Sequence, residues 1–218
     1  MSVDNLYYEK QLITDGHRYI AGTDEVGRGC LAGPIIAAAV ILPPEITTSF
    51  YSFPEDVRQH LGLINDSKKL SDKKRQILSQ FIKEFATEYK VCELNNMDID
   101  TYGVGECNKR VLQDSILQLK KVDAALIDHF KIDSEIFKSK QIELISITKG
   151  DEKSISIAAA SIIAKVYRDD LMKNTYHYKF PMYGFNKNVG YGTKLHLDAI
   201  KQHGYSPIHR MSFSTNLS

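Results

Sequence analysis

The chain of 218 residues has almost no excess charge: 28 lysines and arginines stand against 27 aspartates and glutamates, a formal charge of +1. That balance excludes a global attraction to nucleic acid, so any contact with a polyanion must come from local clusters. Cysteine is scarce. Cys30, Cys92 and Cys107 are odd in number and form no C-x-x-C pair, which excludes a disulfide framework and a thiolate zinc site. Reduced, partly buried thiols are expected. The N-terminus mixes acidic with basic residues and has no apolar stretch of the kind a secretory signal needs, so a cytoplasmic protein is expected. The apolar run Leu31 to Leu42 is stopped by Pro43-Pro44 and falls short of the roughly 20 residues that span a bilayer. There is no internal repeat and no low-complexity linker. What remains is an ordinary globular chain with one sizeable core and no membrane contact.

Its most informative segment is Gly22-Thr23-Asp24-Glu25-Val26-Gly27-Arg28-Gly29-Cys30-Leu31-Ala32-Gly33-Pro34. Tyr19 to Thr23 reads as a strand, which puts Asp24 and Glu25 where it ends and sends their side chains to opposite faces. Gly27 and Gly29 flank Arg28 and let the backbone approach a ligand closely, with N–H groups turned toward an anion. The competing reading is a plain turn with a solvated arginine. The next run, Ile35 to Leu42, reads as a buried central strand, and a charged glycine connection between two core strands favours function over a surface turn.

Further apolar runs at Tyr89–Leu94, Ala124–Ile127 and Ile142–Ile147 bring the strands to five. Ser71 can cap a helix from Asp72 to about Ala86, with Ile77, Leu78, Phe81, Ile82 and Phe85 inward. A second helix, about Val104 to Leu119, turns Val111, Leu112, Ile116 and Leu119 to the core and suits a crossover giving parallel pairing of the third and fourth strands. A third, about Ser154 to Lys173, carries alanines that permit close packing on the sheet. The first three strands suit an antiparallel meander, so the sheet is mixed and covered by helices. Phe50 to Asn65 and the tail from Tyr176 are the least regular parts. Basic residues gather at Lys68, Lys69, Lys73, Lys74 and Arg75, and again at Lys149, Lys153, Lys165 and Arg168.

Asp128 ends the fourth strand, at the edge where open α/β sheets place their sites, although a solvated aspartate is equally compatible with that position. Asp151 follows Lys149-Gly150 and opens the third helix, where an N-cap is the simpler role. Taken together with Asp24 and Glu25, these carboxylates would repel one another unless a cation is present. Oxygen ligands alone indicate Mg²⁺ or Mn²⁺, and two such ions suit hydrolysis of a phosphodiester.

The blocks Asp24-Glu25-Val26-Gly27-Arg28-Gly29, Leu31-Ala32-Gly33-Pro34, Asn65-Asp66-Ser67-Lys68-Lys69-Leu70-Ser71, Leu126-Ile127-Asp128, Lys149-Gly150-Asp151, Ala158 to Val166 with Arg168-Asp169, Tyr183-Gly184-Phe185, Gly190-Tyr191 and His209 to Phe213 resemble, in this order, those of ribonuclease HII. The resemblance implies a ribonuclease H-like five-stranded mixed sheet flanked by helices, with a small C-terminal helical and loop extension and a catalytic domain over residues 18–213. It further implies that Asp24, Glu25, Asp128 and Asp151 bind Mn²⁺ or Mg²⁺ and are catalytic. Gly27, Arg28 and Gly29 would read the ribose 2′-hydroxyl, Tyr191 would pack on the following deoxyribose, and Lys68 and Lys69 would contact phosphates. The implied substrates are RNA–DNA hybrids and duplex DNA containing ribonucleotides, cut by a monomer to leave 3′-hydroxyl and 5′-phosphate ends. Ribonuclease HIII fits less well, since fewer than 25 residues precede Asp24. A catalytically silent hybrid-binding protein of the same fold is the alternative from another class. Three positions depart from the resemblance: Asn188 and Val189 replace a usual His and Lys, and His129 stands where glycine is usual.

Overall fold

The computed structural model describes residues 5–65, 70–130, 132 and 135–213. Lys68 and Lys69 lie outside the described residues. Five strands, β1 (Ile20–Val26), β2 (Ile35–Ile41), β3 (Glu88–Leu94), β4 (Ala124–Asp128) and β5 (Glu143–Ile147), form one mixed sheet in the order β3-β2-β1-β4-β5. β1, β2 and β3 are the expected antiparallel meander, and β4 and β5 run parallel to β1. The crossover helix Val104–Leu117 does bring β4 parallel, but β4 pairs with β1 and not with β3. β2 is buried along its whole length and the first four residues of β1 and of β4 are buried on both faces, so the crossover carries β4 past β2 to pair with β1 in the interior of the sheet.

Period-two alternation divides the core between the two faces. Ile36, Ala38 and Val40 of β2 pack with Leu78 and Ile82 and with Ala159, Ile162 and Ile163. Ile35, Ala37, Ala39 and Ile41 pack with Val111, Leu112 and Ile116 on the opposite face. The central helix, Ile155–Leu171, is apolar on nearly all sides and is sunk against β1 and β2. Its closest approach is at Gly22, where an added Cβ would stand 2.0 Å from the carbonyl carbon of Ser156. Ile77, expected inward on the helix Asp72–Phe85, is 50% exposed, because the core takes the Leu78 and Ile82 stripe of that helix.

Other short elements escaped the periodicity reading. Phe50 to Asn65 contains a helix, Glu55–Leu63, that begins after Pro54 and buries Leu61. Asn95 and Asp98 form a reciprocal capping box that opens the helix Asn96–Tyr102. Beyond Tyr176 the chain forms the short helices expected of a C-terminal extension, the last being Lys194–His203, capped by Thr193. Its apolar cluster joins Ala32 to Met172, Tyr183, Phe185 and Ile200, so the extension is fastened to the glycine segment after β1.

Candidate active site

β1 does not end at Thr23. It continues through Val26, with Asp24 opposite Ala38 and Glu25 opposite Ala37 on β2. The two acids therefore sit on a paired strand and alternate faces. Asp24 turns to the central helix, where the Ser161 hydroxyl bonds it, and Glu25 turns to the crossover helix, where Asn108 lies beside it. On the other side of β1, Thr23 pairs with Ile127 of β4, so one further step along both parallel strands sets Asp24 next to Asp128.

Asp24, Glu25 and Asp128 line one cavity of about 280 Å³ together with Val26, Ser161, Lys165 and Tyr191. Burial raises the Asp24 carboxyl to about 8, with the charge of Glu25 adding to it, the Ser161 hydrogen bond opposing, and Asp128 contributing less. Burial also raises Glu25, against the pull of the Arg28 guanidinium and with a push from Asp128. The three carboxylates thus feel one another. Among the described residues, no group of three or more His, Cys, Asp or Glu side chains is arranged to hold a metal ion. The donor set nevertheless suits a hard cation: it is all oxygen, and the raised Asp24 and Glu25 are groups whose ionised forms positive charge would favour.

Asp151 does not line this cavity. It is buried in a separate one-turn helix, Gly150–Lys153, and it does not cap the central helix, since Ser154 accepts the Ile157 N–H there. One link to the other acids runs through the neighbouring Gly150, whose N–H donates to Asp128 Oδ1 at 2.7 Å. His129, the residue after Asp128, has φ 35°, in the left-handed region, which gives the usual glycine at this position a physical reason.

The glycine segment is clamped by two wholly buried arginines. Arg168 donates to the carbonyls of Ala32, Pro34 and Val189, and Arg210 to those of Gly33 and Arg28. Gly27, at φ +90°, is required: a Cβ there would stand 2.3 Å from Arg168 Nε. Gly29 has no positive φ and nothing within 4 Å of its missing Cβ, so the fold itself leaves that face open to a ligand. Arg28 is exposed, with its guanidinium 5.7 Å from the Phe130 ring centre.

Tyr191 is 38% exposed at the cavity, with Lys165 Nζ 5.5 Å and Arg168 Cζ 5.9 Å from its ring centre. Burial first, and Cys30 second, push its phenol up to about 12, so the hydroxyl stays protonated at neutral pH. Asn188, one of the departures, is structural: its Nδ2 donates to the Tyr183 carbonyl, its Oδ1 accepts the Gly190 N–H, and its carbonyl accepts the Tyr191 N–H. Val189, the other, takes φ 42°, unusual for a β-branched residue, while its carbonyl accepts from Arg168. Sequence reasoning missed Ser161 as the partner of Asp24 and Asn108 as the neighbour of Glu25. The spacing Ser161, Lys165, Asp169, four residues apart on one helical face, was the available signal.

The family model described as ribonuclease HII matches residues 21–216. A ribonuclease HII of Clostridium acetobutylicum is 49% identical over 216 residues, covering 99% of this chain and 79% of that protein. Among solved structures, ribonuclease H2 from Pyrococcus horikoshii superposes with a TM-score of 0.71 at 25% identity, covering 89% of this chain and 93% of that one. A Bst-RNase HIII solved in complex with Mn²⁺ superposes with a TM-score of 0.60 at 19% identity, covering 94% of this chain and 70% of that one, and that likeness concerns the fold alone.

Proposed function

The chain belongs to the ribonuclease HII family of endonucleases, and from that premise we propose that it hydrolyses the RNA strand of RNA–DNA hybrids and nicks duplex DNA on the 5′ side of embedded ribonucleotides. The observation that carries this reading is the cavity that Asp24, Glu25 and Asp128 share with Tyr191. We assign catalysis to residues 18–213, acting as a cytoplasmic monomer.

Asp24, Glu25 and Asp128 would hold two divalent ions, Mn²⁺ or Mg²⁺, and Asp151 would complete the set from the turn behind Asp128. When bound, such ions supply positive charge to the scissile phosphate and to the attacking water. The remaining work falls to the chain. Gly27, Arg28 and Gly29 grip the backbone at the ribonucleotide and test for the 2′-hydroxyl, the group that separates RNA from DNA at that position. Close approach at Gly29 is open because nothing stands where a side chain would be. Tyr191 packs on the next sugar, where a deoxyribose fits. Lys68 and Lys69, whose placement is not described, are assigned to phosphate contacts. Water forms the new P–O bond in line with the departing 3′-oxygen, which takes a proton and leaves as a 3′-hydroxyl opposite a 5′-phosphate.

The alternative is a silent hybrid binder, in which the glycine segment grips substrate but the acids hold no metal. Calorimetric titration with Mn²⁺ separates the two. Saturable heat in the wild type that disappears in Asp128→Asn supports the enzyme, and no heat in the wild type overturns it.

A further inference from the structure

Two histidines play no part in the function described above, yet both are buried completely or nearly so: His196 is 0% and His209 1% exposed. Their rings stand in one hydrogen-bonded line. The Ser206 N–H donates to His209 Nδ1 at 2.8 Å, and the Ser206 hydroxyl meets the same nitrogen at 2.7 Å. His209 Nε2 and His196 Nε2 are 3.0 Å apart, and His196 Nδ1 lies 2.9 Å from the carbonyl oxygen of Tyr191. Both ends of this line have a fixed polarity. A backbone N–H only donates, so His209 Nδ1 is the acceptor and the proton of the neutral ring is on Nε2. A carbonyl only accepts, so His196 carries its proton on Nδ1 and offers a lone pair at Nε2. The central contact is then Nε2–H of His209 donating to Nε2 of His196, and no other pair of neutral tautomers satisfies all four groups. An added proton on either ring would set two donors against each other.

The line ends on the residue that faces the cavity. Aromatic rings hold it laterally, with Tyr183 4.9 Å from His209 and Phe185 5.3 Å from His196, both edge-on. The backbone around Tyr191 needs such support: Val189 and Gly190 have φ 42° and 88°, and the Tyr191 carbonyl is shared between His196 and the N–H of Thr193.

We propose that His196 and His209, as a neutral pair locked in these tautomers, are positioning residues that aim Tyr191, and that through it they set the preference for a deoxyribose after the ribonucleotide. The second half rests on the role assigned above to Tyr191; the first does not. The pair relays no proton in the reaction. It orients a backbone turn and, with it, the ring that checks the sugar.

Long-range ¹H–¹⁵N spectra of the whole protein at pH 7 test the lock, with Nδ1–H expected for His196 and Nε2–H for His209. The opposite tautomer in either ring, or an imidazolium, overturns it. The aiming is read from the ¹³C shift of the Tyr191 carbonyl, which moves in His196→Leu and returns in His196→Asn, because the asparagine amide can replace the Nδ1 donor. An unmoved shift overturns the proposal.

The functional half is read from kcat/KM on a duplex with one ribonucleotide divided by that on an all-RNA/DNA hybrid. This ratio falls about tenfold in His196→Leu, recovers in His196→Asn, and does not change further when His196→Leu is added to Tyr191→Ala. Equal losses on both substrates, or effects that multiply in the double variant, overturn the functional half. If Tyr191→Ala alone leaves the ratio intact, the role assigned to Tyr191 fails, and the carbonyl shift still decides the lock.

Discussion

Replacing the ionisable carboxyl of Asp24 by an amide should stabilise the metal-free protein while abolishing cleavage. The Asp24 carboxyl is raised from 3.8 to about 8, by burial first and by the neighbouring acids after it. A folded-state value above the unfolded one means that the folded chain holds the proton longer, so its stability falls as pH rises from about 4 to about 8. At pH 7 the unfolded chain has ionised Asp24 and the folded chain has not, a gap of about 3 pH units at about 1.4 kcal/mol each, or a ceiling of about 4 kcal/mol. Asp24 borders an open cleft, so water screens part of this and about 1–2 kcal/mol is the expected gain in Asp24→Asn. For a chain of this length that raises Tm by about 2–8 °C. Calorimetry in EDTA at pH 7 measures it. Adding Mn²⁺ should then raise Tm in the wild type, by about 2.7 kcal/mol of stability at a hundredfold excess over Kd, and leave Asp24→Asn unmoved. A variant that melts lower than wild type in EDTA, or that keeps the Mn²⁺ shift, refutes the reasoning.

Three further outcomes follow from the packing. Gly22→Ala forces a Cβ into the Ser156 backbone at 2.0 Å and should cost at least about 3 kcal/mol in urea unfolding, whereas a near-neutral change would show that the central helix can retreat. Burial, and the charge of His196 after it, lower His209 to about 4 from 6.5. The unfolded chain therefore binds the extra proton first, so stability contributed by this group is complete above pH 6.5 and lost as pH falls through about 4. The loss is about 3 kcal/mol, read as a pH slope that flattens in His209→Phe. Asn108 is fully buried and completes no hydrogen bond with either side-chain atom, though it lies beside Glu25 and favours its charge. Asn108→Leu should gain about 1–2 kcal/mol in EDTA by removing unsatisfied polar atoms and yet lower kcat, and a variant that is both more stable and fully active would dissociate Asn108 from the site.

The parts of this architecture legible in the sequence are those governed by local rules. Apolar runs located all five strands, and period-two alternation on β1 sent Asp24 and Glu25 to opposite faces, as their partners Ser161 and Asn108 bear out. The end of β1 was misread because two acids look like a strand terminus, whereas pairing with Ala38 and Ala37 carries the strand through them. The partner of β4 was misread because a crossover helix fixes orientation without fixing which neighbour is reached. Least legible were the contacts between distant segments. Arg210 reaches Gly33 and Arg28 across more than 170 residues, and two buried guanidinium groups bonded to carbonyls leave no periodic trace. The line from Ser206 through His209 and His196 to Tyr191 is equally invisible, although it lies wholly within the C-terminal extension, because ring-to-ring and ring-to-backbone hydrogen bonds between short helices and loops leave no periodic pattern.

The most direct test of the central claim is to map the cleavage of a DNA duplex carrying one ribonucleotide. With Mn²⁺ or Mg²⁺ a single nick is expected on the 5′ side of the ribonucleotide, with 3′-hydroxyl and 5′-phosphate ends, absent for an all-DNA duplex, in EDTA, and for Asp24→Asn or Asp128→Asn. Tight binding without a nick, a nick that persists in EDTA, or one that survives the loss of either acid would contradict it.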